Sequence, residues 1–227
     1  MEIKSAIATL RRAYLFAASK EEDLDEIISK AVTRKYGEGE YLFWEGDLPE
    51  YFYILTEGRV KVLKHGSLGR ETIVAFFSPG EIFGEIAVLE NKTYPASCQA
   101  VSEAEVMMIS RKAFNEFIER HPAVAMAMLA ILSARLREAQ GRLHDMAAER
   151  VEQRLARTLE RLSTKIGPEL PFTRQDLADM SGTTLETTVR FLTRLKEAEI
   201  ISSRRGMVTI KDKDKLLLFA EGQHGLS

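Results

Sequence analysis

Apolar positions along this chain change their period twice. Between Val32 and Ser110 they fall in short runs rich in β-branched and aromatic residues: Tyr41-Leu42-Phe43-Trp44, Tyr51-Phe52-Tyr53-Ile54-Leu55, Val60-Lys61-Val62-Leu63, Thr72-Ile73-Val74-Ala75-Phe76-Phe77 and Glu105-Val106-Met107-Met108-Ile109. Turn formers separate the runs: Gly37-Glu38-Gly39, Gly46-Asp47, Glu57-Gly58, His65-Gly66-Ser67 and Ser78-Pro79-Gly80. Short strands at this spacing predict an antiparallel barrel or sandwich, because each run crosses one sheet and each turn sends the chain back. A short helix is predicted ahead of them, over Glu22 to Lys30, with Leu24, Ile27 and Ile28 on one face.

From Ser110 onward the period is helical. Ser110 is a good N-cap, and His121-Pro122 interrupts the helix it opens, since a residue preceding proline avoids the α region. A long helical stretch is predicted from Ala123 to Ser163. Within it Ala125, Leu129, Leu132, Leu136, Ala139, Leu143 and Met146 recur at alternating spacings of four and three, an a/d seam flanked by Arg135, Arg137, Glu138, Gln140 and Arg142. So narrow a seam between polar residues predicts a partner helix, and hence a homodimer, in preference to packing on the chain's own barrel.

Ile166-Gly167-Pro168-Glu169-Leu170-Pro171 ends the helix. Thr173 then reads as the N-cap of a short helix through Met180, with Asp176 at the capping-box position. Ser181-Gly182-Thr183 is a tight turn, and Thr184 to Glu197 a second helix burying Leu185, Val189 or Thr188, Leu192 and Leu195. Strands Ile200-Ile201-Ser202 and Met207 to Ile210 flank Arg204-Arg205-Gly206 as a hairpin, which completes a winged helix-turn-helix. The predicted fold is α+β: an N-terminal antiparallel β-barrel of jelly-roll type over residues 1–121, a long dimerisation helix with its hinge over 122–146, and a winged helix-turn-helix domain over 147–227.

Composition narrows the picture. A chain of 227 residues, 45% hydrophobic and 29% charged, is long enough for each region to bury a core. No apolar run approaches the roughly 20 residues that span a bilayer. Met1 to Leu10 lacks the apolar core of a signal peptide, so a cytoplasmic location without membrane contact is expected. The single cysteine, Cys98, excludes an internal disulfide framework and an all-cysteine metal site. The net charge of −2 hides an asymmetry: from Ala147 onward there are 14 Lys/Arg against 12 Asp/Glu, and before it 18 against 22. The C-terminal region thus permits contact with nucleic acid, where a local basic face matters more than the total.

A helix that reads DNA needs phosphate-holding groups at its start, long polar side chains toward the base edges and an apolar back. Thr183, Thr184 and Thr187 supply hydroxyls at the first turn of the second helix, where the dipole also favours phosphate. Glu186 and Arg190 stand four apart on one face; arginine donates two hydrogen bonds to guanine, while glutamate accepts from cytosine N4 and holds the arginine in place. Thr173, Arg174, Arg194, Arg204 and Arg205 are candidates for flanking contacts. The bland alternative is a surface ion pair; its position just beyond a glycine-centred helix-turn-helix favours the DNA reading.

Three stretches in this order, Tyr53-Ile54-Leu55-Thr56-Glu57-Gly58-Arg59-Val60, Gly80-Glu81-Ile82-Phe83-Gly84-Glu85-Ile86-Ala87 and Thr173 to Leu195, resemble the CRP/FNR family of bacterial transcription regulators over nearly the whole chain. The resemblance implies a cyclic-nucleotide-binding-type barrel controlling a dimer on an inverted-repeat operator of double-stranded DNA, with Glu186 and Arg190 reading a G·C pair of each half-site. It also implies that an effector shifts packing along the seam and turns the helices beyond a hinge at His144-Asp145-Met146.

Departures from the family pattern bear on the effector. In cAMP-binding members Gly84 and Glu85 would meet the ribose, and an Arg-Ser pair would hold the cyclic phosphate; here Tyr94 and Pro95 stand there, with a shorter loop. The hydroxyl residues that would face adenine are Ala139 and Gln140. A buried phosphate without a cation is costly, so cAMP is not the expected effector, and the Gly84-Glu85 turn reads as barrel architecture. The cysteine cluster of the iron–sulfur branch is lacking too. Leu185 and Val189 replace the arginine and glycine of the cAMP branch, where the oxygen-sensing branch has Ser at the second position. Other family members bind haem and respond to carbon monoxide or nitric oxide, and a haem-based gas sensor stays open here, with His65, His121 and His144 as candidate ligands beside Cys98, Met107, Met108 and Met146. An enzyme of cupin type would need a His/Glu cluster in the barrel, where only His65 lies; a pure ligand-binding or scaffold module that does not bind DNA and whose C-terminal domain contacts protein is the remaining alternative. The loop from Lys64 to Arg70 is a candidate contact for RNA polymerase.

Overall fold

The computed structural model describes residues 10–11, 13–17, 19–66 and 71–222. Residues 67–70 of the candidate polymerase loop, and the N-terminal stretch ahead of Leu10, lie outside the described residues. The chain divides into two compact units, residues 1–69 with 74–137 and residues 70–73 with 138–227.

Two four-stranded sheets form the first unit. One has the order β1 (Ala31–Tyr36), β8 (Ala104–Ser110), β3 (Tyr51–Glu57), β6 (Ile82–Phe83); the other has β2 (Tyr41–Phe43), β7 (Ser97–Ala100), β4 (Val60–His65), β5 (Glu71–Phe77). β3 and β8 run antiparallel, Phe52 opposite Ile109 and Ile54 opposite Met107. Their alternate side chains enter two different cores, the period-2 rule of a strand buried on both faces. Phe52, Ile54, Met107 and Ile109 pack with Phe16, Leu24, Ile27, Phe114 and Phe117. Tyr53, Leu55, Val106 and Met108 point into the space between the sheets, with Phe43, Phe77, Phe83, Tyr94 and Cys98. The sheets do not close into a ring; the architecture is jelly-roll-like.

Helix α1 (Glu21–Ser29) matches its sequence pattern, whereas α2 (Glu85–Glu90) occupies a place expected to be a turn. Helix α3 (Arg111–Arg120) starts on the Ser110 hydroxyl, which accepts the Ala113 N–H at 3.2 Å. Pro122 opens α4 (Pro122–Ala148) at an angle of 112° to α3. Val124 and Met128 of α4 are buried, but Leu129, Leu136, Leu143 and Met146 are exposed, so most of the predicted seam faces outward. Ala139 is likewise exposed, while Ala125 and Leu132 are half-buried. No single helix among the described residues is long and apolar enough to cross a membrane.

One expected element is corrected. The helical stretch expected from Ala123 to Ser163 is two helices, α4 and α5 (Val151–Ile166), with Arg150 extended between them at φ −68 and ψ 153. The Arg150 N–H donates to the Gln153 side chain at 3.0 Å, which starts α5 afresh. His144, Asp145 and Met146, the expected hinge, stay helical.

In the second unit α5 is followed by β9 (Glu169–Leu170), α6 (Arg174–Ser181), α7 (Leu185–Glu197), β10 (Ile201–Arg204), β11 (Met207–Ile210) and α8 (Lys213–Ala220). The three strands form one sheet in the order β10-β11-β9. Leu155, Leu159, Leu177, Phe191, Leu192, Leu195, Ile201, Val208, Leu216 and Phe219 are buried together with Leu170 and Phe172.

Candidate nucleic-acid interface and sensor site

Helix α6 begins on a complete capping box. The Thr173 hydroxyl accepts the Asp176 N–H at 3.1 Å and donates to the Asp176 carboxylate at 2.7 Å, which also accepts the Thr173 N–H at 2.9 Å. The helix stops at Gly182, whose φ of +61 lies in the left-handed region that glycine adopts without strain. The carbonyls that a helix end leaves unmatched are then gathered from afar. Arg154 of α5 donates to Ser181 O at 3.1 Å and Gly182 O at 3.2 Å, and its other terminal nitrogen holds Glu149 O at 3.1 Å. One guanidinium therefore ties the break between α4 and α5 to the turn before α7. Local sequence pattern does not single out Arg154, since its partners are backbone groups up to 28 residues away.

Thr184 is the N-cap of α7, not its first helical residue: its hydroxyl accepts the Thr187 N–H at 3.2 Å and lies 3.0 Å from the Thr187 hydroxyl. Thr183 is half-buried. Thr188, Phe191, Leu192 and Leu195 form the buried back of the helix. Leu185 departs from expectation, being 44% exposed, because the first turn of a helix has neighbours on one side only. Val189 is half-buried.

The outward face carries the candidate readers. Glu186 and Arg190 are exposed, and among the described residues neither makes an ion pair or a side-chain hydrogen bond, so the expected clasp between them is not formed. Arg174, Arg204 and Arg205 are exposed and equally unengaged. Arg194 is different: it pairs with Glu152 of α5. The exit from α4 is also ionic, with Arg161 on Asp145 and Arg157 on Glu149, both carboxylates being nearly buried.

The sensor candidates are built inward. Gly84 has φ +77, and a Cβ there would lie 3.2 Å from the Tyr53 ring and 3.3 Å from the Tyr94 ring, so both conformation and space require glycine. Glu85, only 1% exposed, pairs with Arg135 of α4, which also donates to Ile82 O and covers the Phe77 ring at 5.0 Å. Burial pushes the Glu85 carboxyl up, against the pull of Arg135. Tyr94 stacks on Phe43 at 3.9 Å and donates to Tyr51 O; burial raises its phenol to about 12. Cys98 is fully buried and its thiol is pushed up by that burial. Ala139 and Gln140 are exposed on α4.

The candidate haem histidines lie apart in the chain's elements. His65 is exposed at the end of β4, 5.9 Å from the Trp44 ring. His121 sits 4.2 Å from the Phe117 ring, with Asp23 at 3.7 Å, and His144 is exposed on α4. Met107 and Met108 are buried in different cores, and Met146 is exposed. Among the described residues no group of three or more His, Cys, Asp or Glu gathers to hold a metal ion.

Comparison with known proteins matches both units. Residues 33–121 match the cyclic nucleotide-binding domain, and residues 153–219 the Crp-like helix-turn-helix domain. The chain is 32% identical over 199 residues to the cyclic AMP receptor protein of Thermus thermophilus, covering 87% of this chain and 92% of that protein. It is 27% identical over 210 residues to the transcriptional activator protein anr of Pseudomonas aeruginosa, covering 89% and 85%. Among solved structures it resembles the catabolite activator protein of Thermus thermophilus (31% identity, 93% of this chain, 100% of that chain, TM-score 0.54). FixK2 from Bradyrhizobium japonicum shares the fold (24% identity, 83% and 96%, TM-score 0.75). Crp-like helix-turn-helix regulators bind DNA and act as dimers. With both units matched in order and a relative this similar along most of its length, the chain belongs to the CRP/FNR family of DNA-binding transcriptional regulators, with an effector-binding domain ahead of its helix-turn-helix.

Proposed function

We propose that α7 reads DNA through Glu186 and Arg190, and that the exposed stripe Leu129, Leu136, Ala139, Leu143 and Met146, with Leu132, joins two copies on an inverted-repeat operator. The carrying observation is that Glu186 and Arg190 stand exposed and unengaged on a helix whose opposite face is buried. Arg190 donates to guanine O6 and N7, and Glu186 accepts from the paired cytosine. Thr183 and the capped Thr184–Thr187 turn approach phosphate, with Thr173, Arg174, Arg204 and Arg205 flanking; Arg194 serves chiefly to hold α7 on α5 through Glu152. The working assignment of domains is a sensor over 1–121, a dimerisation helix over 122–146 and a DNA-binding domain over 147–227. The regulator acts in the cytoplasm, where RNA polymerase is its next partner at a promoter.

The effector on this reading is not a cyclic nucleotide. Tyr94 and Pro95 bring no cation to a phosphate, and Glu85, which would meet a ribose, is already held by Arg135. Arg190→Ala should cost about 1–3 kcal/mol at one base pair of each half-site, measured on operators selected from random DNA. Equal affinity of parent and variant for every selected operator overturns the assignment of α7. Calorimetric titration with cAMP should show no saturable heat, and tight binding would overturn the reading of the barrel.

A further inference from the structure

Glu186, Arg190 and Arg194 follow one another on α7 at spacings of four, so successive positions turn by only about 40° and share one face of the helix. The first two stand free in solvent among the described residues. Arg194 does not: its guanidinium pairs with the carboxylate of Glu152, in the first turn of α5. Burial sets this pair apart from its neighbours. The carboxylates that hold Arg157 and Arg161 are only 12% and 13% exposed, so losing either arginine strands a nearly buried charge. Glu152 is 45% exposed and Arg194 35%. A pair so open to water adds little to stability, because solvent screens it and hydrates either partner alone. Its influence falls instead on whatever charge approaches from outside.

We infer that Glu152 is an internal stand-in for a DNA phosphate: it holds Arg194, withholds that charge from the DNA backbone and so lowers the sequence-independent part of the affinity. The inference rests on the reading of α7 proposed above and assigns a role to a residue outside that helix. A duplex that meets the Glu186–Arg190 face presents a row of phosphates, and each cation that neutralises one releases condensed counterions. An arginine already neutralised by a carboxylate has to give up that partner first, and the carboxylate itself repels the nearest phosphate. The positive end of the α5 dipole steadies Glu152 in this place. Base edges are untouched by the pair, so its effect is the same on every sequence. With this contact withheld, binding leans more heavily on Glu186 and Arg190.

The test uses the full-length dimer, its own selected operators and an unrelated duplex of the same length. Glu152→Gln keeps the shape of the side chain and removes its charge. Binding to both duplexes should tighten roughly fivefold per half-site near 0.15 M salt, and the slope of log affinity against log salt should steepen by about 0.9 per half-site, the value of one added phosphate contact. Base preference and melting temperature should stay those of the parent. Adding Arg194→Met to Glu152→Gln should return slope and affinity to the parent's, because both then present no net charge there. Glu160→Gln removes the same charge about 12 Å further along α5, beyond the Debye length of about 8 Å, and should leave the slope as it was. An unchanged slope in Glu152→Gln overturns the inference. So does an equal steepening in Glu160→Gln, which makes the effect one of total charge. If Arg190→Ala loses its G·C preference while Glu152→Gln leaves the slope unchanged, only Glu152 is misassigned; if Arg190→Ala also behaves as the parent on every operator, both readings fall.

Discussion

In the first unit Glu85 is 1% exposed and already joined to Arg135, and Tyr94 is stacked on Phe43 with its hydroxyl on a backbone carbonyl. In the second, Glu186 and Arg190 stand in solvent with no partner of their own among the described residues. On the proposed reading of α7, the difference follows from what each surface meets. A polyanion binds to charges that are accessible and uncommitted, because their pairing with phosphates and bases then costs no broken ion pair. A pocket inside a barrel has no water to satisfy its polar groups, so the chain satisfies them itself and an incoming ligand competes with those internal bonds.

That contrast can be broken from either side. The largest effect is expected from Leu136→Glu combined with Leu143→Glu, which places like charges in the seam: sedimentation should show monomers, and operator affinity should fall about 10²-fold or more as one half-site no longer helps hold the other. Arg135→Ala should destabilise the first unit by about 3 kcal/mol, the lower end for stripping the partner from a buried charge because Arg135 is itself 30% exposed. Denaturant unfolding measures it, and replacing Glu85 by Gln as well should restore part of the loss. A smaller cost, about 1 kcal/mol, is expected for Thr173→Ala, which removes the cap of α6 and shows as a lower melting temperature with an unaltered base preference.

The smallest effect is on pH dependence. Tyr94 has its phenol raised from 10 to about 12 when folded, so the folded chain holds that proton more tightly than the unfolded one. Its contribution to stability is complete below pH 10 and is lost as the pH rises from there toward 12. Stability should therefore decline over that window, and Tyr94→Phe should make the decline shallower, the remainder coming from Tyr53 and Tyr36, whose phenols burial also pushes up. An identical slope in both proteins would show that Tyr94 is accessible and the barrel interior open.

Much of this architecture was legible in local pattern. The runs at 41–44, 51–55, 60–63, 72–77 and 105–109 became strands, Ser110 and Thr173 became the N-caps their side chains predict, and Gly182 the turn its freedom at positive φ predicts. Strand β1 was not legible, because four of its six residues are exposed and carry no alternation, and the two-residue strands β6 and β9 are too short to show any period. The break at Arg150 is not legible in the sequence for another reason. No proline or glycine marks it; the Gln153 side chain and the Arg154 guanidinium make it, each by reaching a backbone group.

The sequence by itself determined the order of barrel, long helix and winged helix-turn-helix, the outward seam of α4 and the four-residue spacing of Glu186 and Arg190. These are consequences of side-chain period and of caps, which act within a few residues. Only the tertiary structure decided which charges remain free. Arg194 is captured by Glu152, Arg135 by Glu85 and Arg154 by three carbonyls, whereas Arg190 is left open and Leu185 uncovered. Whether a side chain is committed depends on which distant group folding brings within hydrogen-bond reach, and spacing along the chain does not encode that.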